Sequence, residues 1–244
     1  MFRAERLNKS FGSLQVTHEV SLNLPRGRRH GLIGPNGAGK TTLFNLLTGE
    51  LKADSGRVFI EDRDISDASV DARARYGLGR SFQKNNLFAE LTVRDNLVLA
   101  ALLQQRVAHN GWRDLARFKS VQEAAEQGAG LLGLQDELDT AVQHLSYGTQ
   151  RQLEIGLALA LRPKVLMLDE PTSGMSPEET HAMQNLIAGL PQELTVLIIE
   201  HDMDVIFELA ERVTVLDYGS VLLEGSPAEI RNSEEVRRKY FGSA

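Results

Sequence analysis

The stretch GPNGAGKT, residues 34–41, sets glycines, a lysine and a threonine at the spacing G-x-x-x-x-G-K-[ST]. Gly34, Gly37 and Gly39 let the backbone curl so that its N–H groups converge on a phosphate, and the dipole of a following helix adds to that field. Lys40 is expected to reach the β- and γ-phosphates of a nucleotide, and the Thr41 hydroxyl to bind Mg²⁺. The phosphate cradle is read as Asn36, Gly37, Ala38, Gly39, Lys40, Thr41 and Thr42.

A second stretch, VLMLDEP at 165–171, ends an apolar run in two carboxylates. A lone Asp-Glu pair at a strand end is a weak signal, because solvated charge belongs there. Behind a phosphate loop in the same chain, the pair completes a nucleotide-hydrolysing site. Asp169 is expected to hold the metal through its water, and Glu170 to polarise the attacking water as general base. A third stretch, LSYGTQRQLE at 145–154, puts a hydroxyl, a glycine and a second hydroxyl into the first turn of a helix. That is the build of an anion-binding N-terminus, although it lies about a hundred residues beyond the first phosphate loop.

Short alternating or continuous apolar runs supply the framework. FRAERL, EVSLNL, RHGLIG and GRVFIEDRDI read as strands, with a helix starting near Gly39 and stopping at Gly49. Residues 92–142 change character: TVRDNLVLAALLQQR is helical by spacing, as is VQEAAEQGAGLLGLQD (121–136) despite its glycines, and Trp112 lies between them. VLMLDE and LTVLIIE then read as buried strands. Ser176, Pro177 and Glu179 form a helix-start box, DMDVIFELAE reads as a helix, and RVTVLDYGSVLLEG as two strands joined through Tyr-Gly. This alternation predicts a mostly parallel sheet covered by helices.

The chain has 244 residues and a net charge of −6, so it is not built to coat nucleic acid; no nucleic-acid partner is expected. Cysteine is absent, which removes disulfide, thiolate and cysteine-zinc chemistry. The charged N-terminus is unlike a signal peptide, and no apolar run approaches bilayer length. Any service to a membrane is expected to run through another subunit.

In the order GPNGAGKT, Gln83 within RSFQKNNLF, LSYGTQ, VLMLDEP, SGMSP and IIEHD, the chain resembles the nucleotide-binding subunit of ABC transporters over essentially its whole length. The resemblance implies one α/β domain over 1–244: a P-loop NTPase core with a mostly parallel sheet, N-terminal antiparallel strands and an inserted helical subdomain at 92–150. It implies ATP and Mg²⁺ as ligands. Gln83 would touch the metal or the attacking water and sense the membrane subunit, and His201 would contact the γ-phosphate. Phe11 would stack on adenine with Val16 beside it, a contact tolerant of base identity. Residues 173–176 would form the loop that crosses to a partner subunit, where Ser176 replaces the more usual Asp. LSYGTQ departs from the usual LSGGQ at Tyr147 and Thr149 but keeps Ser146 and Gly148. By resemblance those two bind ATP held by a second subunit, which answers why one chain carries two phosphate-binding motifs.

GRSFQKNNLFAELTVRDNLVLAA, the long helical insert, LIIEHDMDVIF and the tail VRRKYFG resemble ATPase subunits of branched-chain amino acid importers and of related systems for urea, amides and aromatic acids. The ATPase of lipopolysaccharide export is the runner-up. Soluble ABC ATPases fit less well, since this chain has one phosphate loop and no sustained heptads. The implied partners are transmembrane permease subunits, a second ATP-binding subunit (a copy or a close paralogue) and, indirectly, a periplasmic solute-binding protein. The implied location is peripheral, on the cytoplasmic face of the inner membrane. Leu87, Phe88 and Leu91 are expected either to form a docking groove for a permease helix or to pack the helical insert against the core. Cargo selectivity belongs to other subunits and is not written in this chain.

Overall fold

The computed structural model describes residues 1–81, 87–104 and 119–240. β1 (Phe2–Phe11) and β2 (Leu14–Leu24) pair antiparallel across a tight turn at Gly12. Their alternating apolar residues Phe2, Ala4, Val20, Leu22 and Leu24 are buried. A bulge around Arg6, whose φ is +46°, resets the alternation so that Leu7 also points inward. β3 (Arg29–Ile33) feeds the phosphate loop and α1 (Lys40–Thr48), which Gly49 ends at φ +85°. β4 (Ser55–Ile60) and β5 (Arg63–Asp64) complete a four-stranded antiparallel sheet in the order β2-β1-β4-β5.

Two short elements come next that hydrophobic periodicity does not announce: α2 (Val70–Arg75) and β6 (Leu78–Arg80). α2 presents Arg73 to the C-terminal end of α1. The buried Arg73 guanidinium donates to the carbonyls of Leu46, Leu47 and Ser66 at 2.8, 2.7 and 2.9 Å, and its Nε to Ala68 at 3.1 Å. The last carbonyls of a helix lack intrahelical partners, and here a cation supplies them.

The helical region holds α3 (Val93–Gln104), α4 (Lys119–Leu132) and α5 (Tyr147–Ala160). The expected helix over 121–136 is corrected at its end. It stops at Leu132 because Gly133 takes φ +68°, and Gln135–Glu137 is a single 3-10 turn. Trp112 lies outside the described residues. α4 and α5 approach closely at Gly156, where a Cβ would lie 2.2 Å from Cδ1 of Leu132.

β7 (Val165–Asp169), α6 (Pro177–Ala188), β8 (Thr195–Ile199), α7 (Met203–Leu209), β9 (Arg212–Asp217) and β10 (Ser220–Gly225) follow, then α8 (Pro227–Asn232) and α9 (Glu234–Tyr240). The six-stranded sheet has the order β10-β9-β3-β8-β7-β6, parallel except for the edge pair β10–β9. β7 and β8 are buried throughout, which is why they read as unbroken apolar runs. Their side chains alternate between two cores. Val165, Met167, Leu197 and Ile199 pack with α1 and the antiparallel sheet, while Leu166, Leu168, Val196 and Ile198 pack with the helices, including α3, α4 and α5. The segments leading to Lys40, Glu170 and His201 therefore leave the same end of this sheet, at the C-terminal ends of β3, β7 and β8. Among the described residues no helix is long and apolar enough to cross a membrane.

Candidate nucleotide-binding site

The phosphate loop owes its path to space as well as to torsion angles. Gly34 is pressed against the backbone of β9, since a Cβ there would lie 2.5 Å from the Leu216 carbonyl oxygen. Gly39 caps α1 at φ +97°, and a Cβ would lie 2.7 Å from the Val16 carbonyl oxygen. The loop is also tied from behind: Gly219 N donates to the Ala38 carbonyl at 3.0 Å, and His18 N to the Gly219 carbonyl at 2.7 Å. Gly219, the pivot of the β9–β10 turn, is a supporting residue that sequence reasoning read only as a turn.

Asn36, Gly37 and Thr41 lie exposed, with Thr42 partly so, whereas Ala38 is buried. Lys40 is buried and donates from Nζ to the Gly34 and Pro35 carbonyls at 2.6 and 3.0 Å. Burial draws its ammonium below the usual lysine range, and the charges of Glu170 and Asp169 act against that shift. Both carboxylates thus stand within electrostatic range of the phosphate cradle, although they come from a distant part of the chain.

Asp169 is buried at the end of β7, where its N–H donates to Oγ of Ser81 at 3.1 Å. Glu170 turns out of the strand at φ +48°, a left-handed conformation that a non-glycine residue adopts at a cost. Its N–H donates to the Ile199 carbonyl at 2.8 Å, and Arg151 of α5 donates to its carbonyl at 3.4 Å. The Glu170 Oε1 and His201 Nε2 are 2.5 Å apart. The structure therefore brings His201 to the expected general base. Gln83 lies outside the described residues.

A residue missed in the sequence holds this region together. Buried Glu200 accepts from Thr172 N and Oγ1 at 2.8 and 2.6 Å through one oxygen, and from His201 N at 3.1 Å through the other. It joins the segment after Glu170 to the backbone of His201. The available signal was a glutamate directly following the apolar run VLII of β8.

The signature stretch begins α5 with Ser146 as N-cap, its Oγ accepting from Thr149 N at 3.2 Å. Ser146 Oγ also donates to Glu179 Oε1 at 2.8 Å, and buried Gly148 N donates to the same oxygen at 3.0 Å. The partner of these two groups is thus α6, not the phosphate loop. Phe11 is 51% exposed at the end of β1, with Lys9 Nζ 5.8 Å from its ring centroid, so it is no core residue. Val16 sits behind Gly39, its Cγ1 3.6 Å from where a Cβ would be.

Phe88 is 58% exposed, yet its backbone is fixed from both sides by buried Asn96: Phe88 N donates to Oδ1 at 3.0 Å, and Nδ2 donates to the Phe88 carbonyl at 3.1 Å. Leu91 is also exposed, while Leu87 packs partly against the helical core.

Comparison with known proteins gives a consistent outcome. The family model described as ABC transporter matches residues 17–173. The high-affinity branched-chain amino acid transport ATP-binding protein LivG of Salmonella typhimurium is 39% identical over 241 residues, covering 96% of this chain and 94% of that protein. The lipopolysaccharide export system ATP-binding protein LptB of Haemophilus influenzae is 35% identical over 240 residues, covering 98% and 96%. Among solved structures, an ATP-binding cassette of an ABC transporter in its ADP conformation superposes with a TM-score of 0.87 at 31% identity, covering 100% of this chain and 99% of that one.

Proposed function

The chain belongs to the ABC transporter family of ATP-binding proteins, and from that premise we propose that it hydrolyses ATP to drive uptake of branched-chain amino acids, or closely related small solutes, through a separate permease. The observation that carries the hydrolytic part is the Glu170–His201 pair at the sheet edge beside Lys40. The higher identity to LivG than to LptB favours import over lipopolysaccharide export.

In this reading the loop N–H groups and Lys40 bind the triphosphate, Lys40 exchanging its loop carbonyls for phosphate oxygens. Glu170 takes a proton from the attacking water, and His201 holds the Glu170 carboxylate in place. Thr41 and Asp169 would hold Mg²⁺, which supplies charge neutralisation at the β- and γ-phosphates. Among the described residues there is no cluster of three or more His, Cys, Asp or Glu side chains suited to a metal. Mg²⁺ is commonly held by one or two protein oxygens with water and phosphate, which is the donor set that Thr41 and Asp169 would supply. Ser146 and Gly148 serve the nucleotide of a second ATP-binding subunit, so that two sites form in a head-to-tail dimer. Exposed Phe88, fixed by Asn96, supports docking of a permease helix beside it, with the assembly on the cytoplasmic face of the membrane and a periplasmic binding protein delivering solute.

The test is purification of the chain from native membranes with identification of the subunits that accompany it. Recovery with permeases whose vesicles take up leucine, isoleucine or valine on ATP addition is expected. Recovery with components of lipopolysaccharide export would overturn the importer reading while leaving the ATPase intact.

A further inference from the structure

Glu179 has one carboxylate and two helices to serve. Its Oε2 accepts from Ser176 N at 3.0 Å, closing the capping box of α6. Its Oε1 accepts from both Ser146 Oγ and Gly148 N at the start of α5. The seat is shaped for it: a Cβ on Gly148 would lie 2.7 Å from Glu179 Cδ and Oε1. The three donors hold the carboxyl below the usual glutamate range, so it is an anion at neutral pH.

We propose that Glu179 is a positioning residue that gates the signature motif, its carboxylate holding Ser146 and Gly148 until the γ-phosphate of the partner subunit's ATP takes them over. The inference rests on the cross-subunit reading of LSYGTQ given above. Two anions cannot share one pair of donors, and the carboxylate adds repulsion toward an approaching phosphate. The phosphate, with more negative charge, displaces Oε1. The terminal torsion of Glu179 is soft, so the carboxylate turns away from Ser146 and Gly148 at little torsional cost, both oxygens moving together about the Cγ–Cδ bond. Closure then draws the carboxylate toward the 173–176 loop, and the signature of one subunit is linked to the loop of that same subunit.

The experiment measures the ATP concentration giving half-maximal dimer, by size-exclusion chromatography with light scattering, in Glu170→Gln protein. Adding Glu179→Gln removes the charge but keeps a side chain that caps α6 as well as glutamate does. The half-point is expected to fall about five- to tenfold, the size set by freeing two donors from a charged acceptor. Glu179→Ala should lower it similarly if the protein folds. A half-point that is unchanged or raised by Glu179→Gln overturns the gate.

Ser146→Arg in the same background separates the two ideas. If it abolishes the dimer while Glu179→Gln has no effect, the gate alone is wrong. If the dimer survives Ser146→Arg, the cross-subunit reading is wrong and the gate goes with it. With Glu170 restored and the chain assembled with its permease, Glu179→Gln should lower the KM for ATP more than it changes kcat. A merely structural cap would move neither, and equal KM values in the two proteins would count against the gate.

Discussion

The Nε2 of His201 lies 2.5 Å from Oε1 of Glu170, and Glu200, the residue before this histidine, fixes the backbone between them. The two side chains come from the ends of neighbouring strands, β7 and β8, so sheet register sets their separation. If His201 acts by holding Glu170, removing either disables the same step. Glu170→Gln should lower ATP turnover by about a hundred- to ten-thousandfold, the usual worth of a general base, with ATP binding retained. The Glu170→Gln, His201→Ala double variant should then be little slower than Glu170→Gln alone. Steady-state ATPase assays on the four proteins decide it, and multiplicative losses would show that the two residues act separately.

Lys40 donates to two carbonyls of its own loop and is buried beneath it. Lys40→Ala should weaken ATP binding about tenfold to a hundredfold, the range of hydrogen bonds to charged groups, while the melting temperature moves little. Equilibrium dialysis with ATP, paired with a thermal melt, checks both halves. Unchanged affinity would remove Lys40 from the nucleotide site.

His30 gives the protein a specific acid sensitivity. It is buried on β3, with Nε2 2.8 Å from Oγ1 of Thr214. Burial depresses it from 6.5 to about 4, Glu224 opposing the shift and Arg212 adding to it. Above pH 6.5 neither the folded nor the unfolded chain binds this proton, and His30 gives no slope. Between 6.5 and about 4 the unfolded chain takes it up first, so stability falls as pH falls, by up to about 3 kcal/mol. Urea titrations across that window should show a shallower pH dependence for His30→Gln. Parallel curves for the two proteins would refute the assignment.

Arg73 donates to the Leu46 and Leu47 carbonyls at the end of α1. Arg73→Leu keeps apolar bulk but strands buried acceptors, each costing about 1–3 kcal/mol when unsatisfied. A loss of at least about 2 kcal/mol in urea unfolding is expected, carried by more than one of those carbonyls. Because α1 follows the phosphate loop, ATP affinity should fall with it. A variant as stable as the parent would mean that water replaces the guanidinium.

Much of this protein is written locally. The turn of the phosphate loop follows from glycines that only a left-handed or crowded backbone demands, and β7 and β8 follow from apolar runs that no exposed strand would carry. The helix-start box at Ser176 and Glu179 was legible for the same reason, because capping is settled within four residues of chain. The box at Ser226, Pro227 and Glu229 carries the same local signal at the start of α8. The ordered motifs also allow the family to be read before any coordinate, since their sequence of appearance is itself the pattern.

Only the tertiary structure decided which distant residues meet. Lys40 and Glu170 are 130 positions apart in sequence, and strand order alone brings them to one edge. Arg73 shows no periodic signal, because its role is to satisfy carbonyls of another helix. Glu200 reads as a charged residue after a strand until its two oxygens are seen to bind Thr172 and His201. Glu179 reads as the end of a capping box, and nothing local says that the same carboxylate also covers Ser146 and Gly148. Local chemistry fixes what a residue is able to bind, but its partner is chosen by packing across the chain, and that choice exists only once the sheet and helices have assembled.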